Sequence, residues 1–247
     1  MKQLTKTQTV QVWLLATVPM ALLSWVVAPV LSAQSNAPNA FVKALLLSMT
    51  LGLIWQGVLT LILLKRESGN FNLRTLGEQL WLQKPRDPKT DKIRNKLWWW
   101  LIPFTLLFML AGALQVFAVP ESRDLGSFLS SDNGKAFFHG AWGWFIVILV
   151  LAIFNTVLGE ELLFRGYLLP RMQNAFGNKD VLANSVLFAF YHLHQPWTIP
   201  AALVSGFAMA YPTKKFKSAY FGIIIHSVQS VIIVALVLVV VLGDPTT

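Results

Sequence analysis

The chain has 247 residues, of which 55% are hydrophobic and 13% are charged, and its mean hydropathy is +0.58. This composition is typical of a polytopic membrane protein. The sequence contains no cysteine, which excludes disulfides, a thiolate nucleophile and cysteine-based zinc fingers. The formal net charge of +9 suits either nucleic acid or anionic lipid as a partner, and the position of the charges decides between them.

Five apolar runs are long enough to cross a bilayer, because about 20 helical residues span its hydrocarbon core. In chain order they cover residues 10–31, 41–64, 97–118, 141–158 and 220–242. Two shorter runs, 181–193 and 199–211, are typical of interior helices or short spans. The sequence therefore predicts an all-α fold, a polytopic integral membrane bundle of about seven transmembrane helices.

The basic residues between the second and third runs define the predicted topology. Residues 1–64 are predicted to form a transmembrane hairpin, 65–96 a basic cytoplasmic segment, and 97–247 the membrane core. Under a seven-span count the N-terminus is cytoplasmic, while the C-terminus and residues 121–132 of an exposed loop at 120–135 lie on the opposite side.

Apolar side chains within the basic segment recur at roughly helical spacing. This pattern indicates an amphipathic helix lying on anionic lipid, so the bilayer and not nucleic acid is the expected partner. The side chains concerned are Phe71, Leu73, Leu76, Leu80 and Trp81.

A small set of ionisable residues lies at membrane depth. Glu160 and Glu161 are followed by Arg165, and His192 and His226 lie in later apolar runs. Counted from the nearest basic residues, the helical rise brings Glu161, His192 and His226 to about 14–20 Å from the cytoplasmic side. Ionisable groups in a hydrocarbon layer are costly and mark sites of chemistry, here expected near the cytosolic face.

Amide hydrolysis is the reaction that suits these residues. A carboxylate in a low-dielectric pocket takes a proton from water, a histidine relays it, and a second neutral imidazole donates to the oxyanion. Arg165 lies one turn after Glu161 and is expected to pair with it, which leaves Glu160 as the less constrained base. If the span ends at Leu158, the alternative is a self-neutralising pair with Glu160 in cytosolic water.

Three ordered motifs carry a family resemblance. They are Glu-Glu-x-x-x-Arg at 160–165, Phe-x-x-x-His ending at His192, and His226 followed four residues later by Ser230. Together they resemble the CPBP family of intramembrane proteases, which includes the CAAX prenyl endopeptidases. The resemblance implies that Glu160 and His192 activate water, that His226 and Ser230 stabilise the oxyanion, and that the substrate is a membrane-associated or lipidated protein.

Three alternatives remain open at this point. The family has asparagine where this chain has Ser230, and the shorter hydroxyl keeps a catalytically silent scaffold as a second reading. A transporter is a third, although no duplicated halves are visible. Glutamate with two histidines also suits zinc, but the His-Glu-x-x-His helix of zincins is missing, so a mechanism without metal or cofactor is favoured, with zinc as the alternative.

Overall fold

The computed structural model describes residues 1–69, 73–114 and 117–243. Within these ranges the chain is helical, apart from turns and an isolated bridge between Arg86 and Ile93. The main helices are α1 (Lys6–Ala33), α2 (Ala40–Ser68), α3 (Leu73–Gln79), α4 (Asn95–Ala111), α5 (Leu125–Ser130), α6 (Asp132–Phe138), α7 (Trp142–Arg171), α8 (Asp180–Tyr191), α9 (Ile199–Phe216) and α10 (Tyr220–Leu242). The predicted all-α membrane bundle is confirmed, and α1, α2, α7 and α10 are long and apolar enough to cross a membrane.

The fourth apolar run is the first part of a longer helix, which ends at Arg171, the basic residue from which the depth of Glu161 is counted. The alternative in which the span ends at Leu158 is wrong, because α7 continues to Arg171 through two π-helical segments, Phe154–Leu158 and Leu162–Leu168. Each widened turn takes up an extra residue without breaking the helix. The two glutamates consequently lie inside a buried helix and not in cytosolic water.

The third apolar run forms a shorter helix than predicted. The sequence predicts a span over 97–118, but α4 ends at Ala111, and the chain leaves it through i→i−3 turns at Gly112, Ala113 and Leu114. Residues 115 and 116 of that predicted span lie outside the described residues. The short helices α8 and α9 lie where the two short runs were predicted, and the count of seven crossings stays a prediction.

The basic segment is folded against the protein more than the sequence indicates. Its helix α3 has only seven residues, and the side chains of Leu80 and Trp81 are buried in the bundle and not laid on lipid. The Trp81 carbonyl accepts a hydrogen bond from the Ala219 amide, which ties the segment to the start of α10. Phe71, which belongs to the predicted amphipathic pattern, lies outside the described residues.

The end of the bundle opposite the basic segment is closed by two short helices. The predicted exposed loop at 120–135 instead contains α5 and the start of α6, whose N-termini are capped by the Asp124 and Ser131 side chains. Phe128 and Phe138 are buried against the outer ends of α2 and α10. We call this part, residues 119–138, the outer cap.

Glycines allow α2 and α7 to approach closely beside the glutamates. A Cβ atom on Gly57 would lie 2.8 Å from the Leu158 carbonyl oxygen, and one on Gly159 would lie 2.8 Å from the Leu53 carbonyl oxygen. Small residues serve this purpose at helix interfaces in membranes. The contact places α7 directly on α2 at the residue before Glu160.

Candidate active site

Glu160 lies in the centre of the bundle with 2% of its surface exposed. The Tyr191 hydroxyl lies within hydrogen-bonding reach of its carboxylate, and Gln56 Nε2 donates to that hydroxyl over 2.7 Å. The Oε2 atom of Glu160 has no hydrogen-bond partner among the described residues. Glu160 is thus held on one side and retains an unsatisfied acceptor, as a base that binds water would need.

A second hydrogen-bond network, which we call the Arg165 network, runs from Arg165 through Glu161 to His226. Arg165 Nη1 donates to Glu161 Oε1 over 2.8 Å, which gives the predicted pair, and both side chains are fully buried. The same oxygen lies 3.1 Å from His226 Nδ1. His226 Nε2 lies 3.3 Å from Asn155 Nδ2, so the Arg165 network ends at the side-chain amide of Asn155 on α7.

Gly222 leaves space for the Arg165 network. A Cβ atom at this position would collide with Glu161 Oε2 and would lie 3.1 Å from Arg165 Cγ. The first turn of α10 can therefore lie directly on the ion pair. The contact fixes the distance between α7 and His226, which lies one turn further along α10.

His192 has a defined tautomer when its ring is neutral. Its Nδ1 atom lies 2.8 Å from the Phe188 carbonyl oxygen, which can only accept, so Nδ1 carries the proton. The Nε2 atom then has a free lone pair. Because the side chain is half-buried and lines the cavity described next, Nε2 is available to accept a hydrogen bond from water there.

A cavity of about 790 Å³ connects the candidate residues. Glu160, His192, His226 and Ser230 line it, together with Asn155. Glu161 and Arg165 lie behind this wall and support it through His226. The structure therefore brings together all six side chains singled out from the sequence, four on the cavity and two behind it.

Three polar residues of the site are not predicted from the sequence. Asn155 contacts His226, Tyr191 contacts Glu160, and Gln56 holds Tyr191. Gln56 and Asn155 are uncharged amides inside apolar runs, and this is the one signal that could have identified them. Tyr191 directly precedes His192 and gives no separate signal.

The histidines do not present a ready set of zinc ligands. His226 has both ring nitrogens engaged, one with Glu161 and one with Asn155, and His192 has only Nε2 free. Among the described residues, no three His, Cys, Asp or Glu side chains form a metal-binding group. Zinc held by Glu160 and both histidines would require His226 to leave a partner, so the residues do not fit the metal.

Known proteins add a family assignment to this geometry. Residues 142–232 match the family model described as type II CAAX prenyl endopeptidase Rce1-like. The match covers 91 of the 247 residues, and we call this segment the Rce1-like domain. The Rce1-like domain runs from α7 to the middle of α10 and contains the glutamates, both histidines and Ser230, whereas Gln56 and the α2 wall of the cavity lie outside it. No curated protein and no solved structure matches the chain.

Proposed function

We propose that this integral membrane protein is an intramembrane endopeptidase. It hydrolyses a peptide bond of a membrane-associated or lipidated protein, using a water molecule activated by Glu160. The observation that carries the proposal is the unpartnered Oε2 atom of buried Glu160, on a cavity shared with His192 Nε2. An unsatisfied buried carboxylate is costly, and the site of a catalytic water accounts for it.

The proton transfers follow from the hydrogen-bond partners. Water donates one hydrogen to Glu160 and the other to His192 Nε2, which orients its lone pair toward the substrate carbonyl carbon. Glu160 takes the first proton as the new C–O bond forms, and the carbonyl oxygen becomes an oxyanion. When the C–N bond breaks, Glu160 returns this proton to the leaving nitrogen, so that an acid and an amine are formed.

No metal is needed in this scheme. The Glu160 carboxylate supplies the base, and side-chain donors on the cavity wall supply the electrostatic stabilisation that a Lewis acid would provide elsewhere. Arg165 and Glu161 contribute by holding His226 in place and not by touching the substrate.

The experiment compares membranes from cells that make the wild-type protein with membranes from cells that make Glu160→Gln. Quantitative mapping of protein termini should find ends that need the wild-type protein and an uncut precursor that accumulates in the variant. Glu121→Gln is the matched control, because it makes the same change at an exposed side chain. Identical sets of ends in wild type and Glu160→Gln would reject the peptidase and favour a scaffold.

A further inference from the structure

The cavity occupies only one half of the bundle. The helices that line it in this half are α2, α7, α8, α9 and α10. On α2 it is lined between residues 42 and 53, near the helix start, and on α10 between 226 and 236, away from the helix start. The outer cap contributes residues 119 to 130. The lysines and arginines of the basic segment 65–96 do not line the cavity.

The other half of the bundle is filled with buried side chains. Leu163, Phe164 and Leu168 of α7 lie on the basic side of the glutamates and are fully buried. Phe216 and Phe221, at the junction of α9 and α10, are at most 1% exposed, and their tilted rings pack with centroids 5.1 Å apart. This layer of buried side chains, which also includes Arg165 and Arg171, separates the carboxylates from the exposed lysines and arginines of the basic end.

We infer that the substrate reaches the site from the outer cap, opposite the basic residues. By the positive-inside rule this is the non-cytoplasmic side. The inference rests on the proposed peptidase function and names its substrate class: membrane proteins whose cleaved segment lies outside the cytoplasm, and not the lipidated C-terminus of a cytosolic protein. It reverses the expectation, drawn from the sequence, of cleavage near the cytosolic face.

Arg123 adds a feature of the outer cap that a peptide would meet first. It lines the cavity, its guanidinium lies 3.9 Å from the Trp25 ring centroid, and its Nη1 atom donates to the Ser24 carbonyl oxygen over 3.4 Å. No ion pair links it to a carboxylate among the described residues. An unpaired cation at this place favours a peptide segment that brings a carboxylate to the opening.

The access route can be tested without any substrate, because the chain has no cysteine of its own. Single cysteines replace Gln229 on the cavity wall formed by α10, Ser127 in the outer cap and Lys89 in the basic segment. A membrane-impermeant thiol reagent is then added to either side of sealed vesicles. Gln229→Cys should react from the same side as Ser127→Cys and from the side opposite to Lys89→Cys. Reaction of Gln229→Cys from the Lys89 side would overturn the inference.

The substrate class is tested by the position of the cleaved ends in the Glu160→Gln comparison. These ends should map to non-cytoplasmic segments of membrane proteins, and ends confined to cytosolic segments would overturn the inference. If no ends change, the proposed peptidase fails and its substrate class with it, whereas the labelling still decides the access route. The two failures are therefore distinguishable.

A second inference concerns Asn155, and it rests on the partners of His226. In a neutral ring the Nδ1 proton donates to Glu161, and Nε2 accepts from the Asn155 amide. His226 then has no N–H directed at the cavity. The expected donor to the oxyanion is thus occupied elsewhere, and Ser230 alone would remain of the predicted pair.

We propose that Asn155 donates to the oxyanion and that His226 positions it. The Asn155 amide nitrogen carries two hydrogens, of which His226 takes one, and its side chain lines the same cavity as Glu160 and Ser230. The π-helical segment Phe154–Leu158 contains Asn155, and such segments often occur at functional sites. The Asn155 amide on α7 would thereby supply the hydrogen bond that the family's asparagine supplies from the position of Ser230 on α10.

The test uses Asn155→Ala, Ser230→Asn and the double variant. The probe is a synthetic peptide that spans an end mapped in the Glu160→Gln comparison. Asn155→Ala should lower kcat about 100-fold, the usual effect of losing one oxyanion donor, with little change in KM. Ser230→Asn should restore much of this loss in the double variant by supplying an amide from the opposite wall. Thr156→Ala is the matched control, since that hydroxyl donates only to the Ala152 carbonyl of its own helix.

Several outcomes would overturn the role of Asn155. Unchanged kcat in Asn155→Ala would show that another group carries the oxyanion. An equal fall in thermal stability and in kcat, with no rescue by Ser230→Asn, would show a purely structural residue. A ¹⁵N chemical shift of His226 Nε2 that does not respond to Asn155→Ala would contradict the contact itself. A wild type that cleaves no mapped peptide would reject the peptidase and this donor together.

Discussion

Charged residues at membrane depth were the easiest part of this site to predict. Glu160, Glu161 and Arg165 stand out because each is expensive to keep in a hydrocarbon layer, and the structure brings them together with both histidines. Asn155 and Gln56 were not predicted, because a neutral amide costs far less and has no fixed partner in the sequence. Their roles depend on contacts between residues 71 and 135 positions apart in the chain.

The buried ion pair should be important for stability at the residue scale. Glu161→Gln or Arg165→Ala leaves one buried charge without its partner, and each should lower the free energy of unfolding by about 3–5 kcal/mol. Denaturation of the purified protein in detergent measures this. Arg86→Ala is the control, because it breaks an ion pair with Asp91 at an exposed position and should have no measurable effect. Wild-type stability in Glu161→Gln would contradict the burial of the pair.

At the scale of elements, the sequence located the helices better than their ends or their distortions. The predicted run 220–242 coincides with α10. The fourth apolar run, 141–158, stops thirteen residues before α7 itself ends at Arg171. The reason lies in Gly159 and the glutamates, which lower local hydropathy as a loop would. Glu160 and Glu161 are stabilised by tertiary contacts with Tyr191 of α8 and His226 of α10, which a window along the sequence does not include.

Close contact between α7 and α10 should be sensitive to a single methyl group. Gly222→Ala places a Cβ atom on Glu161 Oε2, so the pair must shift, with a loss of about 1–3 kcal/mol in unfolding free energy and reduced cleavage. Gly143→Ala on α7 is the matched control, since a Cβ atom there meets no atom within 4 Å. Equal stability of the two variants would mean that α10 does not pack on the pair as described.

At the scale of the whole molecule, the Rce1-like domain contains the candidate catalytic residues but not all of the cavity wall. It spans residues 142–232, whereas α2 and the outer cap supply other parts of the cavity wall. The motifs could therefore indicate the reaction but not the side from which a substrate arrives. That information lies in which half of each helix is lined by the cavity, and it requires the fold.

The charge pattern makes a separate prediction about topology. Cysteines introduced at Lys89 and Thr247 should react with an impermeant reagent from opposite sides of the membrane. The positive-inside rule makes the basic segment cytoplasmic, and the predicted helices between the two positions cross the membrane an odd number of times. Thr247 itself lies outside the described residues. Reaction from the same side would show an even number, and the short helices α8 and α9 would then need reassignment.

Metal removal tests the chemistry of the complete protein. Because Glu160 and His192 can activate water without a Lewis acid, cleavage of a mapped peptide should persist after treatment with a strong chelator. Metal analysis of the purified protein accompanies the assay. Stoichiometric zinc, lost together with activity in both His192→Ala and His226→Ala, would contradict the metal-free mechanism.

The central claim is that buried Glu160 is the base of a peptidase, and Glu160→Gln tests it most directly because the amide preserves shape and removes basicity. Wild type and variant are purified, reconstituted in lipid and given the same mapped peptide, with thermal unfolding measured in parallel. We expect the variant to unfold at the wild-type temperature and to cleave at least about 100-fold more slowly. Cleavage at the wild-type rate by a folded Glu160→Gln protein would contradict the claim.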